Sequence, residues 1–136
     1  MIVMGLSDNF DIAEFLGGEV KPAYIIQGKP EYMWYGEIAH EWRREKLGIK
    51  IGECLLESHL EFHKSWDWLM PVIDKIESMD YTFNINKWGV SIISKDSKIL
   101  CCYQINHGDT QDTKFLASYK AVVSFIRSHE TAKKHL

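Results

Sequence analysis

The chain has 136 residues and a formal net charge of −3, with 46% hydrophobic and 26% charged residues. These values are ordinary for a globular protein, and they exclude a disordered chain, a collagen-like chain and a coiled-coil rod. A chain of this length predicts one domain, residues 1–136, with enough surface to bury a core. The charge balance gives no strong signal for nucleic-acid binding.

The cysteines indicate the compartment. The three of them, Cys54, Cys101 and Cys102, cannot pair completely within one chain and show no C-x-x-C spacing. We therefore expect reduced thiols in a cytoplasmic protein, with Cys101 and Cys102 on opposite faces of one strand. Residues 1–10 lack the basic start and the long apolar run of a signal peptide. No run approaches the roughly 20 apolar residues of a membrane span, so no membrane partner is expected.

The N-terminal part predicts a helix, a hairpin and a second helix. Asp8 or Asn9 can cap a short helix that Gly17 and Gly18 end. Residues 23–27 and 31–35 predict two strands joined by a turn at 27–30. Residues 37–47 predict a helix closed by Gly48. Residues 49–62 predict mostly extended chain.

The central segment carries the clearest helical period. Apolar residues recur every 3–4 positions from Trp66 to Ile76, which predicts an amphipathic helix over 66–78. Ser65 is a good N-cap for it. We expect Trp66 to begin the buried stripe and to be largely buried. Pro71 lies inside the pattern, so it predicts either a kink or a helix that truly begins near that residue.

The C-terminal part predicts a meander and a last helix. Apolar segments at 81–85, 90–92 and 99–105, separated by polar turns, predict three antiparallel strands. Residues 113–128 predict a helix capped by Asp112 or Thr113, with a fraying tail over 129–136. The predicted fold class is α+β: an antiparallel meander with two helices packed on one face, an N-terminal helix and extra short strands.

Three separated blocks carry a resemblance. They read IAEFLGG at 12–18, FHKSWDWLMPVIDKIE at 62–77 and YKAVVSFI at 119–126. Together they resemble a family of small proteins from bacteriophages, prophages and gut bacteria of the Bacteroides type. The resemblance implies a phage or mobile-element setting and supplies no catalytic residues. Residues 20–60 look particular to this chain and leave its specificity open.

Two segments are candidates for ligand binding. One is an aromatic cluster around Tyr32 with basic neighbours, and the other is the helix start near 63–68, where an imidazole, a lysine, a hydroxyl and two indoles are concentrated. Indoles can stack on a base, and a helix N-terminus can hold an anion. Packing and capping explain the same residues without a ligand. The candidate ligand-binding residues are Trp34, Tyr35, Trp42, Arg43, Arg44, His63, Lys64, Ser65 and Trp68.

A metal site is the alternative chemistry. In an extended segment, His59, Glu61 and His63 would share a face opposite Leu60 and Phe62. Two histidines and a carboxylate can hold a metal, but alternate residues of one strand lie roughly 7 Å apart, which is wide for one ion. An exposed polar face is the favoured interpretation of the pattern. No nucleophile elbow, phosphate-binding loop or dinucleotide-binding motif is present in the sequence.

These observations favour a non-enzymatic binding protein of a phage or mobile element, without a cofactor, acting in the cytoplasm of the host cell. Its expected target is a host defence system, reached by contact with a host defence protein or by sequestering a nucleotide-like signal in the aromatic cluster. Two alternatives stay open. One is a small metal-dependent enzyme that uses His59, Glu61 and His63. The other is a scaffolding homo-oligomer that assembles through a sheet edge or a helix face.

Overall fold

The computed structural model describes residues 8–26, 29–47, 54–56, 59–106 and 113–134. Contacts between residues divide the chain into two compact units, Met1–Glu61 and Phe62–Leu136. Helices and an antiparallel sheet occur in both units, so the α+β class predicted from the sequence is confirmed. The interpretation of the chain as one domain stays a prediction.

The first unit contains helix α1 (Asp8–Leu16), strands β1 (Glu19–Ile26) and β2 (Lys29–Tyr35), helix α2 (Glu37–Leu47) and strand β3 (Cys54–Leu56). The strand order is β1-β2-β3, and both pairings are antiparallel. The predicted hairpin and both predicted helices are confirmed. The hairpin turn at 27–28 and the predicted stop at Gly48 lie outside the described residues.

Strand β1 begins four residues earlier than the sequence pattern predicted, at Glu19 instead of 23. Pro22 pairs with Tyr32 next to an irregularity in the register, which is where a strand tolerates a residue without an N–H. Glycines make the tight junction between α1 and β1. Gly18 has a φ of +85°, and a Cβ there would collide with the Tyr35 carbonyl oxygen.

Residues 59–63 do not form the extended segment that the sequence predicted. His59 lies in a short 3-10 turn, and a turn follows at 62–64. Leu60 and Phe62 are buried while Glu61 and His63 are exposed, so the alternation is real. It arises from turns, because the Leu60 carbonyl accepts a hydrogen bond from buried Asn9 Nδ2 at 3.3 Å and not from a neighbouring strand.

The second unit contains helix α3 (Trp66–Ser78), strands β4 (Tyr81–Asn86), β5 (Gly89–Ser94) and β6 (Ile99–Gln104), and helix α4 (Lys114–Lys134). The strand order is β4-β5-β6, all antiparallel. Helix α4 packs on all three strands, and α3 packs on β4 and α4. The predicted meander with two helices on one face is therefore confirmed.

The sheet of the second unit has one buried and one exposed face. Phe83, Ile92 and Cys101 form one row of the face beneath the helices. Asn84, Ser91 and Cys102 form the neighbouring row, whose side chains are directed to the opposite face, and Asn84 and Cys102 are exposed. The alternation follows from the pleat, which sends successive side chains to opposite sides.

Helix α3 begins as predicted. Ser65 Oγ accepts a hydrogen bond from the Asp67 N–H at 3.2 Å. The helix runs through Pro71 without a break. The expectation for Trp66 is wrong, since this side chain is 39% exposed, whereas Trp68 is only 3% exposed. The buried stripe of α3 therefore begins at Trp68 and continues through Leu69, Val72, Ile73 and Ile76.

Helix α4 is longer than predicted. Thr113 is its cap, because Thr113 Oγ1 accepts a hydrogen bond from the Leu116 N–H at 3.1 Å. The helix does not end near 128 but continues to Lys134. The rings of Phe125 and His129 stack at 5.7 Å with an interplanar angle of 14°. This contact one turn apart supports the helix in the part where the polar sequence predicted fraying.

Candidate functional site

Trp34, the first candidate for stacking on a ligand, is a core residue of the first unit. Its side chain is 0% exposed, and its Nε1 donates a hydrogen bond of 2.7 Å to the Gly17 carbonyl. The ring of Trp42 lies 6.2 Å away at 58°. A fully buried indole offers no open face to a base, so the geometry assigns Trp34 to packing. Its ligand-binding role stays a prediction without structural support.

Tyr35 and Trp42 are partly exposed, and each carries a cation over its ring. Lys21 Nζ lies 4.8 Å from the centre of the Tyr35 ring, and Lys46 Nζ lies 5.4 Å from the Trp42 ring. Such contacts use the negative face of the ring. The Tyr35 hydroxyl also contacts Met33 Sδ at 3.7 Å. A stacked base would have to displace a lysine or use the other face.

The two arginines among the candidate ligand-binding residues, Arg43 and Arg44, lie on α2. Arg44 is exposed, and the side chain of Arg43 lies outside the described part of the structure. Tyr32, from the same aromatic cluster, is partly exposed on β2. The structure therefore places Tyr35, Trp42 and Arg44 at the surface of the first unit and removes Trp34 from it.

The second half of the candidate site is the start of α3. Ser65 uses both of its oxygens for capping: Oγ accepts from Asp67, and the carbonyl accepts from the N–H groups of Trp68 and Leu69 at 3.2 and 3.1 Å. The exposed Asp67 adds a carboxylate to the first turn. A carboxylate there competes with a bound anion for the positive end of the helix. These groups favour capping over phosphate binding.

Trp68 is likewise a packing residue. It lies edge-on to Phe62, with ring centres 5.2 Å apart at 86°. His63 and Lys64 are exposed, and the His63 ring lies 6.4 Å from the ring of Tyr119 on α4. Lys64 and His63 therefore remain surface residues. The predicted ligand site needs residues of both compact units at one place, and that meeting stays a prediction.

The sequence missed a surface patch at the start of α3. Trp66 and Met70 lie one turn apart and are 39% and 41% exposed. The Trp66 ring packs edge-on against Phe115 of α4, with ring centres 5.0 Å apart at 78°. We call Trp66, Met70 and Phe115 the Trp66 patch. The i, i+4 spacing of Trp66 and Met70 could have indicated this patch. Both residues lie on a face of α3 next to the one that carries the buried residues Trp68 to Ile76.

The proposed metal ligands do not form the predicted strand face. Within residues 8–26, 29–47, 54–56, 59–106 and 113–134, no group of three His, Cys, Asp or Glu side chains is placed to hold a metal ion. The prediction that Cys101 and Cys102 lie on opposite faces is confirmed. Cys101 is buried, and its thiol donates to the Ala121 carbonyl at 3.6 Å, whereas Cys102 is exposed.

Comparisons of this chain with family models, with curated proteins and with solved structures found no match. Among the described residues, no helix has both the length and the apolar character needed to cross a membrane.

Proposed function

We propose that this chain is a non-enzymatic binding protein that acts by direct protein contact through the Trp66 patch. One observation carries the proposal: Trp66 and Met70 are the two large apolar side chains of α3 that stand at least 39% exposed, and they are adjacent. Tryptophan is enriched among the residues that contribute most to protein interfaces, and methionine adapts to varied apolar surfaces.

The construction of the patch supports this role. Phe115 fixes the Trp66 ring from one side, so the indole is held in place before a partner arrives. Ordering an exposed side chain on binding costs about 0.5–1.5 kcal/mol, and a ring that is already held avoids part of that cost. Exposed Asp67 and Asp74 lie on the same helix and supply the polar rim that interfaces typically have.

Protein contact is favoured over capture of a nucleotide. Two of the three indoles among the predicted ligand-binding residues, Trp34 and Trp68, are at most 3% exposed. Stacking on a base requires an accessible aromatic face. Tyr35 and Trp42 are partly exposed, but each carries a lysine over its ring, and at Trp66 the first helical turn carries a carboxylate.

The resemblance to phage and prophage proteins supplies the biological setting of the proposal. The partner is then a defence protein of the bacterial host, contacted in the host cytoplasm. Expression of the chain in a host strain with an active defence system tests this part. We expect phage plating to rise with the unchanged chain and to stay low with Trp66→Ala.

The contact itself is tested by affinity capture from lysate of a gut bacterium of the Bacteroides type. Recovery of bound proteins is quantified for the unchanged chain, for Trp66→Ala and for Trp88→Ala. Trp88 is the matched control because it is 64% exposed and lies in the β4–β5 turn. A protein retained by Trp88→Ala and lost with Trp66→Ala supports the proposal. Equal recovery with both variants would overturn it.

A further inference from the structure

The two edges of the second sheet differ. At the β4 edge, the Phe83 N–H points away from β5 and donates to Glu77 Oε2 of α3 at 3.5 Å. Among the residues that the structure describes, no carboxylate accepts a hydrogen bond from the backbone of β6. Strand β6 itself contains no charged residue and no proline. Charges and prolines are the usual devices that keep edge strands from pairing with other strands.

The hydrogen-bond pattern shows which backbone groups the β6 edge offers. The Ile105 N–H donates to the Trp88 carbonyl at 2.8 Å, which makes these two residues a hydrogen-bonded pair. Hydrogen-bonded and non-hydrogen-bonded pairs alternate along an antiparallel ladder. Gly89–Gln104 and Ser91–Cys102 are therefore non-hydrogen-bonded pairs. The backbone N–H and C=O groups of Gln104 and Cys102 consequently point away from β5.

Exposed side chains accompany these groups. Cys102 and Gln104 are exposed, and Leu100, at the irregularity in the register between β5 and β6, is 51% exposed. Ile99, the first residue of β6, is 65% exposed. A strand whose backbone groups point away from its own sheet and whose apolar side chains are exposed is a template for another strand.

We propose that the β6 edge, residues 100–104, pairs antiparallel with the β6 edge of a second copy of this chain. Cys102, whose backbone groups point away from β5, is the central residue of this segment. A two-fold axis at Cys102 places Leu100 opposite Gln104 and Cys101 opposite Tyr103 of the other copy. The outward N–H of Cys102 then meets the outward C=O of Cys102 in the other copy, and the two sheets become one six-stranded sheet.

Charge supports a second copy as the occupant. When two copies of the same strand pair, a charged residue on one copy lies close to the same charge on the other copy, and the two charges repel each other. The strand ILCCYQ has no charge to oppose. The exposed row next to the axis, Asn84, Ser91 and Cys102, is also uncharged. This interface lies on other elements than the Trp66 patch and does not depend on it.

Sedimentation velocity of the full chain over a range of concentrations tests the pairing. We expect a dimer for the unchanged chain and for Trp66→Ala. Cys102→Lys places two lysines opposite each other at the axis and should raise the dimer Kd by at least about tenfold. Asn84→Lys is the matched control, because it adds the same charge to the same row at the β4 edge, and it should leave the dimer intact.

Cross-linking fixes the register. The two Cys102 thiols lie beside the axis, so in a Cys54→Ser chain a short bis-maleimide should link two chains, and adding Cys102→Ser should abolish the link while the dimer remains. Circular dichroism checks that each variant is folded. A monomer at all concentrations would overturn the proposal. So would a dimer that Cys102→Lys leaves unchanged, or one whose cross-link survives in Cys102→Ser.

Discussion

The indole Nε1 of Trp34 donates a hydrogen bond of 2.7 Å to the carbonyl of Gly17, and this bond ties strand β2 to the end of helix α1. Gly17 lies beyond the last residue of α1, where carbonyl groups lack partners within the helix. A residue that the sequence predicted to stack on a ligand is therefore a structural link of the first unit.

Removal of that hydrogen bond should destabilise the protein. Trp34→Phe keeps an aromatic ring but leaves the Gly17 carbonyl without its donor, which costs about 1–3 kcal/mol. Chemical denaturation followed by circular dichroism measures the loss. Trp88→Phe is the control, and because Trp88 is 64% exposed it should change the free energy of unfolding by less than about 0.5 kcal/mol. Equal effects of the two variants would refute the assignment of Trp34.

The glycine after this link is a second sensitive position. Gly18 has a φ of +85°, and a Cβ would collide with the Tyr35 carbonyl oxygen. Gly18→Ala should therefore lower the free energy of unfolding by on the order of 2–3 kcal/mol. Thermal unfolding gives the comparison with the unchanged chain. A variant as stable as the unchanged chain would show that the junction between α1 and β1 has another geometry.

The N-cap of α3 predicts a smaller effect. Ser65→Ala removes the acceptor for the Asp67 N–H and should cost about 0.5–2 kcal/mol. Ser65→Asp restores a capping oxygen and should recover most of that loss. Urea denaturation of both variants measures the difference. If Ser65→Asp is as unstable as Ser65→Ala, the side chain does not cap this helix.

The two indoles of α3 should respond differently to truncation. Trp68 is buried and Trp66 is 39% exposed. Trp68→Ala should cost about 3–5 kcal/mol, whereas Trp66→Ala removes a side chain that is already partly in solvent and should cost less. Chemical denaturation of the two variants side by side provides the test. A larger loss for Trp66→Ala would place Trp66 in the core and remove the basis of the Trp66 patch.

Local signals in the sequence were sufficient for most of the secondary structure. The capping residue Ser65 and the apolar period that follows it defined α3 as Trp66–Ser78. Polar turns between short apolar segments gave the order of β4, β5 and β6. Both kinds of signal act between residues that are close in sequence, so one chain alone contains them.

What the sequence could not give depends on contacts between distant residues. The alternation at 59–63 resembled a strand, but the Leu60 carbonyl is bonded by Asn9, which is 51 positions away. Trp66 matched the apolar period of α3 as well as Trp68 did, but Trp68 packs against Phe62 and is buried, whereas Trp66 contacts Phe115 of α4 and stays 39% exposed. Within the candidate site, the sequence showed where aromatic residues are concentrated. Their spacing did not show which of the rings are buried.

Photocrosslinking inside host cells tests the contact through the Trp66 patch most directly. A benzoylphenylalanine introduced at Met70 reports on proteins that touch the patch, and the same residue at Asn84, which is exposed on β4, is the control. We predict one discrete adduct with a host protein from position 70, absent from position 84 and lost when Trp66→Ala is added. The absence of any adduct with a host protein from position 70, or the same adducts from both positions, would contradict the account.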